Sequence, residues 1–177
     1  MSEAKWNLSV LDSGARSALK RSAGTMPGED MRAIQAFWQA TGFVPKGRED
    51  QWFACICMEC LWKADKSRQT APFEELLRKL YQSSVASDSL KSRIIALLDL
   101  PWGPDGYLLG KLSSFARQMR AKDGTLMPDF SKFADDLAGW NHPGRIVQRR
   151  WIRTICGQRR EENESDKQDK EETENAD

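Results

Sequence analysis

Histidine is almost missing from this chain of 177 residues: His142 stands alone, next to Pro143. That excludes the paired imidazoles of most metal-assisted hydrolases. No glycine-rich phosphate loop follows a strand, no serine elbow is present, and the acids do not fall at metal-ligand spacing. Asp135 and Asp136 are adjacent on a helical segment, so their carboxyls point about 100° apart and make no acid/base pair. A catalyst is not expected, and neither is a cofactor. Apolar runs stop well short of the roughly 20 residues needed to cross a bilayer. The start, Met1-Ser2-Glu3-Ala4-Lys5-Trp6, lacks the apolar stretch of a secretory signal. No membrane partner is expected, and the reading is cytoplasmic. Alternating β-branched runs are missing too, which points to an all-α chain.

Cysteine is sparse but clustered. Cys55, Cys57 and Cys60 fall within one apolar helical segment, Glu49 to Ala64, with Cys156 far away. At helical spacing Cys57 and Cys60 share a face while Cys55 points elsewhere, so the three sulfurs do not converge on one ion. Buried, reduced core cysteines are expected rather than a metal site. Tryptophan is abundant, seven in all. Trp38, Trp52, Trp62, Trp140 and Trp151 sit in apolar stripes and read as core. Trp102, between two prolines, is the one whose ring is placed to stack or to meet a partner, although packing between lobes is its simpler use.

About eight amphipathic helical segments are separated by turn signals. They run Leu8 to Ala23, Pro27 to Thr41, Glu49 to Ala64, Phe73 to Tyr81, Ser89 to Leu98, Tyr107 to Lys122, Asp129 to Trp140 and Gly144 to Gln158. Pro101-Trp102-Gly103-Pro104-Asp105-Gly106 is the strongest break. Two small bundles are expected, residues 1–102 and a three-helix set 103–160, followed by an acidic tail 161–177 too charged and too poor in apolar residues to pack.

The formal net charge of +1 conceals an asymmetry. The tail holds nine carboxylates against Lys167 and Lys170, while residues 1–160 carry 25 Lys and Arg against 17 Asp and Glu, a body of +8. Such a body points to a polyanion, and nucleic acid is the commonest one in a cell. The tail reads either as a solvated extension or as an internal competitor folded over the basic face.

Arginine position sharpens this. On the last helix Val147, Trp151 and Ile155 form an apolar stripe, with Arg145, Arg149 and Arg153 nearly opposite and Arg150 between. On Tyr107 to Lys122 the inward stripe Leu108, Leu112, Phe115 and Met119 leaves Ser113, Arg117 and Arg120 together. The first helix sets Leu8, Leu11, Ala15 and Leu19 against Arg16, Lys20 and Arg21. Any one cluster reads equally as a solvated face. Together, rich in arginine and poor in neighbouring acids, they favour contacts to phosphate oxygens without base readout.

The order of these features resembles the CasB family, the small subunit of type I-E CRISPR Cascade complexes. The matching residues are Gly14-Ala15-Arg16-Ser17-Ala18-Leu19-Lys20-Arg21, Ala36-Phe37-Trp38, the loop residue Arg48, Leu112 to Arg120, Asp129-Phe130 and Arg149-Arg150-Trp151. Each motif is short; the weight rests on their collinearity from Leu8 to Ile155. The resemblance implies two helical bundles and a non-catalytic subunit seated beside other Cascade subunits and a second copy of itself, in contact with guide RNA and target DNA. The family's basic positions fall on Lys20, Arg21, Arg48, Arg117 and Arg120, with a weaker match at Lys63 and Lys66. Arg145, Arg149 and Arg153 form a secondary basic surface. The implied role is to hold the displaced strand and guide–target backbone and stabilise the R-loop. The rival reading is a helical adaptor that binds only protein, which a weak salt dependence would reveal. The tail after Gln158 departs from the family pattern.

Overall fold

A computed structural model describes residues 6–62 and 69–157. Lys63, Lys66 and the acidic tail lie outside those residues. Among the described residues the chain forms eight α-helices and one two-stranded pairing, so the predominantly helical expectation holds.

Local chemistry sets the helix starts. A single 3-10 turn at Leu8–Val10 is followed by extended Leu11, and helix α1, Ser13–Arg21, begins only where the Asp12 carboxylate accepts from the Ala15 amide at 2.7 Å. The continuous helix expected from Leu8 is therefore interrupted. Likewise α2, Met31–Thr41, starts after Asp30, whose carboxylate accepts from the Arg32 and Ala33 amides, rather than at Pro27. Gly42 ends it at φ +63, a left-handed stop that glycine adopts without strain. The cysteine helix α3 covers Glu49–Glu59. Next come α4, Phe73–Tyr81, and α5, Asp88–Leu97, capped by Ser87. Then follow α6, Tyr107–Lys122; α7, Phe130–Ala138, capped by Asp129; and α8, Ile146–Cys156.

Two three-residue strands were not foreseen: β1, Gln69–Ala71, runs parallel to β2, Leu126–Pro128, with Thr70 opposite Met127. Each is too short to show a period-two pattern, and the partners are remote in sequence. The pairing ties the entrance of α4 to that of α7, and the Asp129 amide extends it by donating to the Ala71 carbonyl at 2.8 Å.

One apolar cluster reaches from Leu11 to Ile155. Helix α7 packs on α3, and α8 on α4, so apolar contacts cross the 102/103 position. Helix α3 is buried almost all round, from Trp52 to Met58, and carries Cys55 and Cys57 fully inside with Cys60 beside them. Burial raises the pKa of all three thiols, that of Cys60 to about 12. Cys156 differs from the expectation: it ends α8 on the exposed side. The aromatic centre is Phe73, Phe133 and Trp151, stacked with centroids 4.3 to 5.8 Å apart, and Trp140 abuts Trp151 edge-on. Buried indoles find acceptors: Trp140 Nε1 donates to the Leu100 carbonyl and Trp151 Nε1 to Asp136. Trp52, Trp62, Trp140 and Trp151 are core as expected. Trp38 is not, being 44% exposed. On α2 the inward positions are Ala33, Ala36, Phe37 and Ala40, which turns the residue after Phe37 outward.

Candidate nucleic-acid interface

The turn that follows α1 meets α6 next to the basic residues of both helices. The chain leaves α1 through Ser22 and Ala23 and reverses at Gly24, whose φ of +103 suits glycine. A Cβ on Gly24 would sit 3.1 Å from both Cβ and Oγ of Ser113, so glycine also permits the close approach of the turn to α6. Two α6 side chains hold this turn: Ser113 Oγ donates to the Ala23 carbonyl at 3.0 Å, and Arg117 Nη2 donates to the same oxygen at 3.0 Å.

The consequence is electrostatic. Arg117 uses one nitrogen to grip the end of α1 and leaves the remainder of an exposed guanidinium at the surface. Lys20 and Arg21 occupy the last turn of α1, within one turn of that carbonyl, and both are exposed. Arg120 lies one turn beyond Arg117 on the same side of α6 and is half-buried. Arg21 is 3.6 Å from Asp30, with its side chain 63% exposed. Such a pair contributes about 0–1 kcal/mol, so a phosphate can replace Asp30 at little cost. Among the described residues Lys20 and Arg120 enter no ion pair. Arg117 thus holds the end of the helix whose last turn carries Lys20 and Arg21, with Arg120 one turn further along α6.

The other four lie elsewhere. Arg48, at the N-terminus of α3, reaches Asp135 of α7 at 3.4 Å and belongs to the α3–α7 seam. Arg145 precedes α8 in a left-handed conformation, φ +49. Its Nη2 donates to the Leu98 carbonyl and Asp99, both at 2.7 Å, joining α5 to α8. Arg149 and Arg153 remain on the outer face of α8, both exposed. Arg150, on the inner flank, contacts buried Glu74 and Asp136. The stripe on the last helix therefore divides into a structural residue, Arg145, and two outward ones.

Sequence reasoning passed over Arg32, which shares a polar groove between α1 and α2 with Arg21 and Gln35. The signal was its place on the flank of α2 away from Ala33 and Phe37. It also passed over Arg93, Tyr107 and Lys111 on the α5–α6 side; the last two stand at i, i+4 on α6. Trp102 is half-buried, and its backbone is clasped by Asn141, which accepts from the Trp102 amide at 3.0 Å and donates to its carbonyl at 2.7 Å.

A helical body in which an arginine of the helix after the central break holds the end of the first helix defines the class: an α-helical fold with exposed arginines and, among the described residues, no cluster of His, Cys, Asp or Glu that would hold a metal. Known proteins place it further. The family model for CRISPR-associated protein Cse2 matches residues 15–154, and the chain belongs to that family, also called CasB. The CRISPR-associated protein Cse2 of Thermus thermophilus is 29% identical over 156 residues, 87% of this chain and 85% of that one. The fold is similar to the crystal structure of M. ruber CasB, with a TM-score of 0.64 at 17% identity over 94% of this chain and 91% of that one. A chain of a CRISPR RNA-guided surveillance complex gives a TM-score of 0.62 at 21% identity, over 82% of each.

Proposed function

We propose that this chain is a non-catalytic subunit of an RNA-guided antiviral surveillance complex. It holds the displaced DNA strand and guide–target backbone through the basic surface of Lys20, Arg21, Arg117 and Arg120, and so stabilises the R-loop. The observation that carries this reading is the Arg117 bond to the Ala23 carbonyl, which fixes the basic end of α1 beside the basic side of α6. Family membership and the likeness to a chain of a surveillance complex support the setting. Arg48, Arg145, Arg149 and Arg153 supply positive charge on neighbouring surfaces, and the other subunits and a second copy of the chain extend the path. In such complexes base pairing reads sequence while protein grips backbone. R-loop formation is close to energetic balance, so a few phosphate contacts tip it.

The test is a reconstituted complex carrying Lys20→Ala, Arg21→Ala, Arg117→Gln and Arg120→Ala, in which Ser113 Oγ still donates to the Ala23 carbonyl. Permanganate reactivity of displaced-strand thymines and R-loop lifetime are read out. A shortened lifetime with unchanged assembly supports the reading; an unchanged lifetime refutes it.

A second reading, docking of protein, is favoured by α2 and the turn after it, where Met31 is 67% exposed, Trp38 44% and Phe43 75%. That surface fits an apolar partner, and its association would change little with salt.

A further inference from the structure

A cleft of about 450 Å³ opens between α5 and α6, on the opposite flank of α6 from Ser113 and Arg120. Its floor is Leu97 and Phe115, both buried, and its rim carries Arg93, Tyr107, Lys111 and Ser114, all exposed. The Arg93 guanidinium carbon lies 5.9 Å from the Phe115 ring centroid, and Lys111 Nζ lies 5.1 Å from that of Tyr107. Among the described residues no carboxylate lines the cleft. The neighbouring acid, Asp105, is engaged in accepting from the Tyr107 amide at 3.1 Å.

We infer that this cleft is a base-stacking subsite for single-stranded nucleic acid. Tyr107, a residue 56% exposed, offers its ring to stack on a base, while Arg93 and Lys111 meet the flanking phosphates. The inference rests on the proposed phosphate-binding surface and goes beyond it, since it adds contact with bases. Three observations favour this occupant. Two cations flank two aromatic rings at one opening, the combination that binds unstacked strands without sequence preference. The volume falls within the ~300–1,000 Å³ of small-ligand sites. Finally, Ser114, small and exposed, lies on the face of α6 between Arg117 and the cleft, so a strand can cross the helix closely from one to the other. A base enters the cleft only from an unpaired strand, so the subsite discriminates single strand from duplex, which the phosphate contacts alone do not.

The full chain is titrated at low salt against a labelled oligo-dT and against an abasic phosphodiester of equal length, comparing wild type with Tyr107→Leu and Tyr107→Phe. The exposed position tolerates either change. The expected result is about tenfold weaker binding of oligo-dT by Tyr107→Leu, little change with Tyr107→Phe, and equal binding of the abasic strand by all three. A photocrosslink from 5-iodouracil in the oligonucleotide should map to Tyr107. Equal affinities of wild type and Tyr107→Leu for oligo-dT overturn the subsite while leaving the phosphate reading intact, provided the basic-surface variant has lost binding. Failure of the wild type to bind either strand overturns both. Loss of partner-subunit assembly in Tyr107→Leu, with DNA binding unchanged, assigns the cleft to protein and also overturns the inference.

Discussion

Glu59 shows how a single residue can work against the fold that holds it. Its carboxyl sits at the end of α3 under the N-terminal segment, accepting from Trp6 Nε1 at 2.7 Å. Burial raises its pKa, and the Trp6 bond and the charge of Arg16 offset that only in part. A carboxyl whose folded pKa exceeds its unfolded value binds its proton more tightly in the native state. Its contribution is therefore fully present below the unfolded pKa and is lost as pH rises through the folded one. Glu59→Gln retains an acceptor for Trp6 and removes the charge. The variant should match wild type near pH 4 and gain stability over it as pH rises to 7, as measured by urea unfolding at both pH values. A gap that shrinks with rising pH would contradict the assignment. At this scale the sequence was legible for residues whose neighbours on the same helix decide their fate, such as Trp151 and Leu112. It was not legible for Trp38, where an apolar ring lies outside the buried arc, nor for Arg145, whose left-handed backbone and bond to Leu98 depend on a loop and a distant helix.

Among the elements, α4, α7 and α8 are joined by a charged knot at the edge of the aromatic centre. Glu74 of α4 is 3% exposed and reaches Lys132 of α7 at 3.2 Å and Arg150 of α8 at 3.5 Å. Arg150 continues to Asp136, which accepts from Trp151 Nε1. Removing the shared carboxylate strips Lys132 of its partner and leaves Arg150 with Asp136 alone. Lys132 and Arg150 are themselves about two-fifths exposed, so water replaces part of the loss. Glu74→Ala should cost about 2 kcal/mol, read as a lower urea midpoint at unchanged slope; a shift equivalent to less than about 0.5 kcal/mol, the usual range for a surface site, would show the knot to be ornamental. Helices α4 and α6 were placed from sequence because their apolar spacing is uninterrupted. The starts of α1 and α2 were misplaced because Asp12 and Asp30 cap locally and override apolar residues upstream. The β1–β2 pairing escaped because three-residue strands joined across the fold leave no local signature. For the site, helical spacing grouped Arg117 with Arg120 and put Lys20 and Arg21 on the polar side of the first helix, and the family resemblance selected the same four. The Ala23 carbonyl that brings the two groups together became visible only in three dimensions.

Over the whole molecule, charge is partitioned by position: residues 1–160 carry +8 and the final seventeen −7. A tethered polyanion lowers the field that draws nucleic acid to the body, whatever path the tail takes. Truncation after Arg160 should raise affinity for non-specific single strands at low salt and have little effect once the Debye length falls to about 8 Å at physiological ionic strength. Equal affinities at low salt would remove the tail from the account. The central claim is that Lys20, Arg21, Arg117 and Arg120 form one phosphate-binding surface, and its most direct test is the salt dependence of binding. The full chain, wild type and the four-residue variant described above, is titrated with single-stranded and duplex DNA of several sequences across a salt series, with circular dichroism confirming the fold. Every phosphate the variant no longer neutralises should flatten the log–log salt slope by about 0.7 on single strands, so four of them reduce it by roughly 3 on every sequence alike. An unchanged slope in a folded variant, or a weakening confined to one base sequence, would contradict the account.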